Sequence, residues 1–94
     1  MLRKSMMIDP RDSVAMVLED SLKGDVIRTP RGEITLLEDV EFAHKVAVEP
    51  LKKGQSVIKY QEEIGYMLED APAGTWIHNH NMGCDRGKVR GAKI

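Results

Sequence analysis

The densest group of chemically able side chains is the run Trp76-Ile77-His78-Asn79-His80-Asn81. Two imidazoles at this spacing can share a divalent metal, a substrate carboxylate or a proton relay. In an extended strand, alternation sends His78 and His80 to one face and Asn79 and Asn81 to the other. Two ligands fall short of the three protein ligands that a catalytic metal site generally uses. The plainer reading is a pair of solvent-facing histidines at a strand end. The third histidine, His44, lies 34 residues before His78 and can approach it only through the fold. A second group is Lys45, Lys59 and Tyr60. A lysine beside an apolar strand can serve as a general base or an anion clamp when burial lowers its pKa; otherwise it is an ordinary solvated lysine. Cys84 follows Met82-Gly83 and, with His78 and His80 upstream, invites a metal reading against that of an incidental thiol.

Short strands must position these groups. A pattern of two apolar residues, Glu, a short turn, Gly and a return to β-branched residues occurs three times, ending at Gly24, Gly54 and Gly74. Each copy reads as a strand that stops at the Glu, reverses, and restarts after a glycine free to take positive φ. Pro50 and Pro72 fix φ inside two of the reversals. The glycine spacing of 30 and then 20 residues excludes a solenoid of fixed period. Strands are expected at 6–8 and 13–18, either side of the turn tetrad Asp9-Pro10-Arg11-Asp12. Others are expected at 26–29 and 33–36 around Thr29-Pro30-Arg31-Gly32, and at 44–49, 56–60, 64–69 and 75–80. A helical turn is expected over 36–42, because Thr35-Leu36-Leu37-Glu38 spells a capping box. Short strands at this spacing predict an all-β, irregular, barrel-like fold.

The chain has 94 residues, with 14 Lys and Arg against 15 Asp and Glu, for a net charge of −1. That balance removes a bulk electrostatic case for nucleic acid or an anionic membrane. The longest apolar run, Val14 to Leu18, is far below the ~20 residues needed to span a bilayer. A single cysteine cannot form an intrachain disulfide, and the N-terminus lacks a signal-peptide apolar core. A cytoplasmic protein is therefore expected. The organisation expected is an N-terminal extension and first strand at 1–12, a domain at 13–81, and a basic glycine-rich tail at 82–94. A domain of this size buries only roughly 60–65% of its unfolded surface, so a partner or a second copy in a homodimer is expected to supply one wall of any site.

His44-Lys45-Val46-Ala47-Val48, Gly54-Gln55-Ser56-Val57-Ile58-Lys59-Tyr60, Ile64-Gly65 and His78-Asn79-His80-Asn81 together resemble the SAF domain of altronate and galactarate dehydratases. That domain also occurs as a separate small subunit in altronate dehydratases and sulfolactate sulfo-lyases. The family string resembles Gly-His-Lys, Gly-x-x-Val-Ile-Lys-Tyr-Gly, Ile-Gly and His-x-His-Asn, over roughly 14–81. Two glycines are replaced, by Ala43 before His44-Lys45 and by Gln61 after Lys59-Tyr60. The resemblance implies a β-clip fold, a larger dehydratase subunit as partner, a sugar-acid substrate, and a divalent metal, iron or manganese, held mainly by that larger subunit. His44, Lys45, Lys59 and Tyr60 are the implied catalytic candidates. His78, His80 and Asn81 are substrate-binding candidates, and His78 and His80 are candidate metal ligands. The rival expectations are the alpha subunit of a sulfolactate sulfo-lyase and a stand-alone carbohydrate- or anion-binding module.

Overall fold

The computed structural model describes residues 1–7 and 9–83. All regular structure among them is strand: β1 (Leu2–Arg3), β2 (Ser5–Met6), β3 (Val14–Val17), β4 (Val26–Thr29), β5 (Gly32–Thr35), β6 (Lys45–Ala47), β7 (Ser56–Lys59), β8 (Glu62–Met67), β9 (Trp76–Ile77) and β10 (Met82–Gly83). The chain is all-β, as its turn chemistry predicts. No helix among the described residues is long and apolar enough to cross a membrane.

The strands form a four-stranded sheet, β2-β3-β6-β9, and two three-stranded sheets, β1-β4-β5 and β10-β8-β7. Alternation along the central pair β3–β6 serves two cores at once. Ala15, Val17, Val46 and Val48 join Ile27, Ile34, Leu36 and Val40 under the β4–β5 hairpin. Val14 and Ala47 join Leu51, Val57, Met67, Ala71 and Ile77 under the β7–β8 hairpin. Val17 and Ala47 stand 30 residues apart, as do Ile27 and Val57, and each pair fills matching places in the two halves. The isolated bridges Ser21–Val40 and Leu51–Ala71 close the halves in the same way. Each fully buried aliphatic side chain contributes about 1.5–3 kcal/mol of burial free energy, so the two small cores together hold a fold with no helix among the described residues.

The three glycine reversals share one turn. Gly24, Gly54 and Gly74 have φ of 91°, 84° and 95°. Asp25, Gln55 and Thr75 donate their backbone N–H groups to the carbonyls of Leu22, Lys52 and Pro72. In the first two turns a side chain completes the loop: Asp25 Oδ2 accepts from Leu22 N, and Gln55 Oε1 accepts from Lys52 N. Pro72 has no N–H to offer, and there the Thr75 hydroxyl donates to its carbonyl instead, at 2.7 Å.

Two expectations are corrected. The helical turn over 36–42 does not form. Leu36 is buried, its N–H bonds the Asp25 carbonyl, and the Leu37 N–H bonds that of Gly74. Glu38, expected to close a capping box on its own segment, accepts instead from the N–H of Trp76 at 2.9 Å. The strand expected over 75–80 stops at Ile77, and the chain turns through 78–81 before β10. The first and last described strands join larger sheets. β1 pairs parallel to β4, and β10 pairs with Met67 and Tyr66 of β8. Cys84 and the rest of the expected tail lie outside the described residues.

Candidate functional site

Trp76 is the centre of the site. Its backbone pairs with Val46 of β6, and its ring packs partly against the first core. Three imidazoles surround the indole. His78 is stacked on it with an interplanar angle of 13° and centroids 5.5 Å apart; His80 lies at 4.9 Å and His44 at 5.6 Å. His44 and His78 meet edge to face at 5.3 Å. The fold thus closes the sequence gap between His44 and the His78–His80 pair. Both members of that pair reach Trp76, but through a turn and not through the strand alternation expected for them.

Asn81 makes that turn. It is 1% exposed, its Oδ1 accepts from the His78 N–H at 2.9 Å, and its Nδ2 donates to the Trp76 carbonyl at 2.9 Å. The backbone N–H groups of Asn81 and Met82 both bond the His78 carbonyl. Both polar atoms of the amide are engaged by backbone, so Asn81 fixes the course of the chain from Trp76 to His78. The indole Nε1 of Trp76 is buried without a hydrogen-bond partner, which is a desolvation cost at the centre of the cluster.

Lys45 sits opposite Met16 on one side and Ile77 on the other, on the Ala47 face of β6. Lys59 shares the Val57 face of β7, and with Tyr60 it lines a narrow crevice that also includes Asp12, Val14 and Met16. Its Nζ lies 4.8 Å from the centroid of the Tyr60 ring, whose residue is 46% exposed. Burial, and then the nearby Lys59 charge, push the Lys45 ammonium below its ordinary pKa. Burial first, then the charges of His44, Lys45 and His80, push His78 below the ordinary histidine value. The charge of Lys45 acts on His78, and that of Lys59 on Lys45, so the two groups expected from sequence share one electrostatic neighbourhood rich in lysine and histidine. Among the described residues no group of three or more His, Cys, Asp or Glu side chains could hold a metal ion. The described donor set does not fit a metal centre.

Backbone strain borders both groups. Among the described residues, the non-glycine ones with positive φ are Ala43 (72°), immediately before His44-Lys45, and Tyr60 and Gln61 (55° and 66°), immediately after Lys59. Ala43 and Gln61 stand where the family string has glycine, and each L-residue held there costs about 1–2 kcal/mol. Gln61 gains partners in exchange: its N–H donates to Asp12 Oδ1 at 3.0 Å, and its Oε1 accepts from Arg11 at 2.7 Å. Gly65 is needed for another reason, since a Cβ there would collide with the Gly83 carbonyl of β10. An open depression of about 560 Å³ lies elsewhere, lined by residues of β1, β2 and Arg28, and holds none of these groups.

Trp76 and Glu38 carry site geometry that the sequence did not assign to them. The available signal was Trp76 itself, two residues before His78 in the same run. Glu38 gave none, because it reaches Trp76 across 38 residues.

Fold and site define a small all-β module that presents a histidine- and lysine-rich face around one tryptophan. The chain matches the model of the altronate/galactarate dehydratase SAF domain over residues 3–85, and it belongs to that family. It is 41% identical over 70 residues to altronate dehydratase of Escherichia coli (strain K12), a match covering 74% of this chain and 14% of that enzyme. It is 48% identical over 48 residues to the (2R)-sulfolactate sulfo-lyase subunit alpha of Paracoccus pantotrophus, covering 51% of this chain and 72% of that subunit. The corresponding subunit of Chromohalobacter salexigens is 26% identical over 83 residues, covering 86% of its length. The chain thus spans about a seventh of the dehydratase and most of each alpha subunit.

Proposed function

We propose that this chain is the small SAF-domain subunit of a sugar-acid dehydratase of altronate type, and that it covers or completes the active site of a larger cytoplasmic catalytic subunit. The observation that carries this reading is the clustering of His44, His78 and His80 around Trp76, with Lys45 and Lys59 in electrostatic reach, in a chain of this family. Dehydration of a 2,3-dihydroxy acid removes the proton α to the carboxylate and expels the β hydroxyl, with negative charge developing on the carboxylate as an enediolate. Fixed cations at the carboxylate stabilise that charge. Lys45 and Lys59 suit this role as ammonium donors. His78, held toward its neutral form, suits proton exchange with the substrate, with Tyr60 at the rim. The divalent metal that the family resemblance implies, iron or manganese, is assigned by this reading to the larger subunit.

The match over most of two sulfo-lyase alpha subunits favours a second reading, in which sulfite replaces water as leaving group. Both chemistries begin with a carboxylate-bearing carbon acid, so one lysine- and histidine-rich site can serve either. The test is to reconstitute the chain with its larger subunit and assay altronate and sulfolactate side by side. Turnover of altronate by the pair, and by neither chain alone, is the result expected. Turnover of sulfolactate only would replace the first reading with the second, and tight binding of a sugar acid by the isolated chain without any partner would favour a free-standing binding module.

A further inference from the structure

Asp12 is 1% exposed and belongs to neither group of candidate site residues. It lies in the 9–12 turn, where its own N–H bonds the Asp9 carbonyl. Its Oδ1 accepts the N–H of Gln61, 49 residues away, and its backbone carbonyl accepts from Arg31 at 3.3 Å. Arg31 also pairs with Glu49 and bonds the Pro10 carbonyl. The tips of both hairpins therefore grip this one loop. At the second tip the grip falls on a strained turn. Lys59 pairs with Glu62, leaving Tyr60 and Gln61 as a two-residue loop with both φ angles positive. That is the geometry of a type I′ hairpin, which favours Asn-Gly and disfavours Tyr-Gln.

We propose that Asp12 is a positioning residue for the Lys59–Tyr60 arm. Its buried carboxylate fixes the Gln61 N–H and so holds a left-handed turn that lacks the usual glycine. The turn in turn sets the ammonium of Lys59 against the Tyr60 ring, at the edge of the crevice that Asp12 also lines. The functional weight of this role rests on the dehydratase-subunit reading; the structural coupling does not.

The test uses the full chain in solution, with four variants: Asp12→Asn, Asp12→Ala, Gln61→Gly and the double variant Asp12→Ala/Gln61→Gly. Two NMR readouts report on the arm. One is the hydrogen-exchange protection of the residue 61 amide, and the other is the ring-current shift of the Lys59 ε-methylene protons from Tyr60. Asp12→Asn keeps an acceptor oxygen and is expected to keep both signatures. Asp12→Ala is expected to lower the protection by about tenfold or more and to abolish the ring-current shift. Gln61→Gly removes the strain, so the double variant is expected to regain the shift. Unchanged signatures in a folded Asp12→Ala chain would overturn the proposal, as would a double variant that folds but does not regain the shift. If Asp12→Ala alone fails to fold, Asp12→Asn and the double variant decide. Turnover of the reconstituted pair is read separately: Lys59→Met with full activity would count against the functional reading and leave the Asp12–Gln61 coupling standing.

Discussion

The imidazole of His78 lies nearly parallel to the indole of Trp76, 13° apart, with centroids separated by 5.5 Å. Two residues of one short run achieve this with the help of Asn81, which turns the chain just beyond them and whose side chain bridges the carbonyl of Trp76 and the N–H of His78. His44, delivered by the neighbouring strand, then meets His78 edge-on. Placement by a buried amide is sensitive to small chemical changes.

Replacing Asn81 should therefore disturb all three rings. Asn81→Ala removes two buried hydrogen bonds and is expected to cost about 2–3 kcal/mol. Asn81→Asp keeps the acceptor but turns a donor toward the Trp76 carbonyl into a second acceptor, and is expected to destabilise at least as much. Urea unfolding measures the cost, and the His78 and His80 ring resonances should move in any Asn81 variant that folds.

The protonation of His78 follows from its neighbours. Burial and the adjacent cations lower its pKa, so NMR titration is expected to place its midpoint below that of a free histidine. Lys45→Met should raise that midpoint part of the way, since burial remains. The sign for stability follows: with the folded value below the unfolded one, the His78 contribution is fully present above the ordinary histidine pKa and is lost as pH falls through the lower folded value. A midpoint unmoved by Lys45→Met would count against the coupling.

Asp25 governs stability at lower pH. Hydrogen bonds from the Leu22 N–H and from Arg3 hold its carboxyl at about 2, well below the usual value. Its contribution is present above the ordinary carboxylate pKa and is lost as pH falls toward 2. Arg3→Ala should raise the Asp25 midpoint and make acid unfolding begin at higher pH. The same variant tests whether β1 is an integral strand, because Arg3 pairs with Ile27 in the first sheet.

Backbone strain gives opposite signs at two sites. Ala43 holds φ of 72° where the family string has glycine, and Ala43→Gly is expected to stabilise by about 0.5–1 kcal/mol, the relief exceeding the entropy lost. Gly74→Ala should instead destabilise by about 3 kcal/mol or more, because its φ is 95° and the new Cβ would strike the Thr35 carbonyl. Paired denaturation curves for the two variants check both signs.

The turns were the most legible part of this fold. Gly24, Gly54 and Gly74 announced reversals, and all three adopt positive φ, because a glycine's conformational freedom is a local property that sequence carries directly. Short strands beside them followed from β-branched runs for the same reason. What a segment does when a distant group competes for it was not legible. Thr35 to Glu38 reads as a capping box, yet Glu38 bonds Trp76, and the tertiary bond prevails over the local one. His78 to His80 reads as the end of a strand, yet a side chain three residues beyond His78 captures its N–H. The candidate residues themselves could be named from types and resemblance, whereas the central place of Trp76 and the grip of Asp12 on Gln61 depend on contacts that span many residues.

The most direct test of the central claim is the altronate turnover of the reconstituted pair, with wild-type chain and with His78→Ala, after confirming by size-exclusion chromatography that both assemble equally with the larger subunit. Turnover is expected to require this chain and to fall by roughly 10²-fold or more in the variant, the scale of a lost proton-transfer group. Equal turnover with His78→Ala, or full activity of the larger subunit by itself, would contradict that claim.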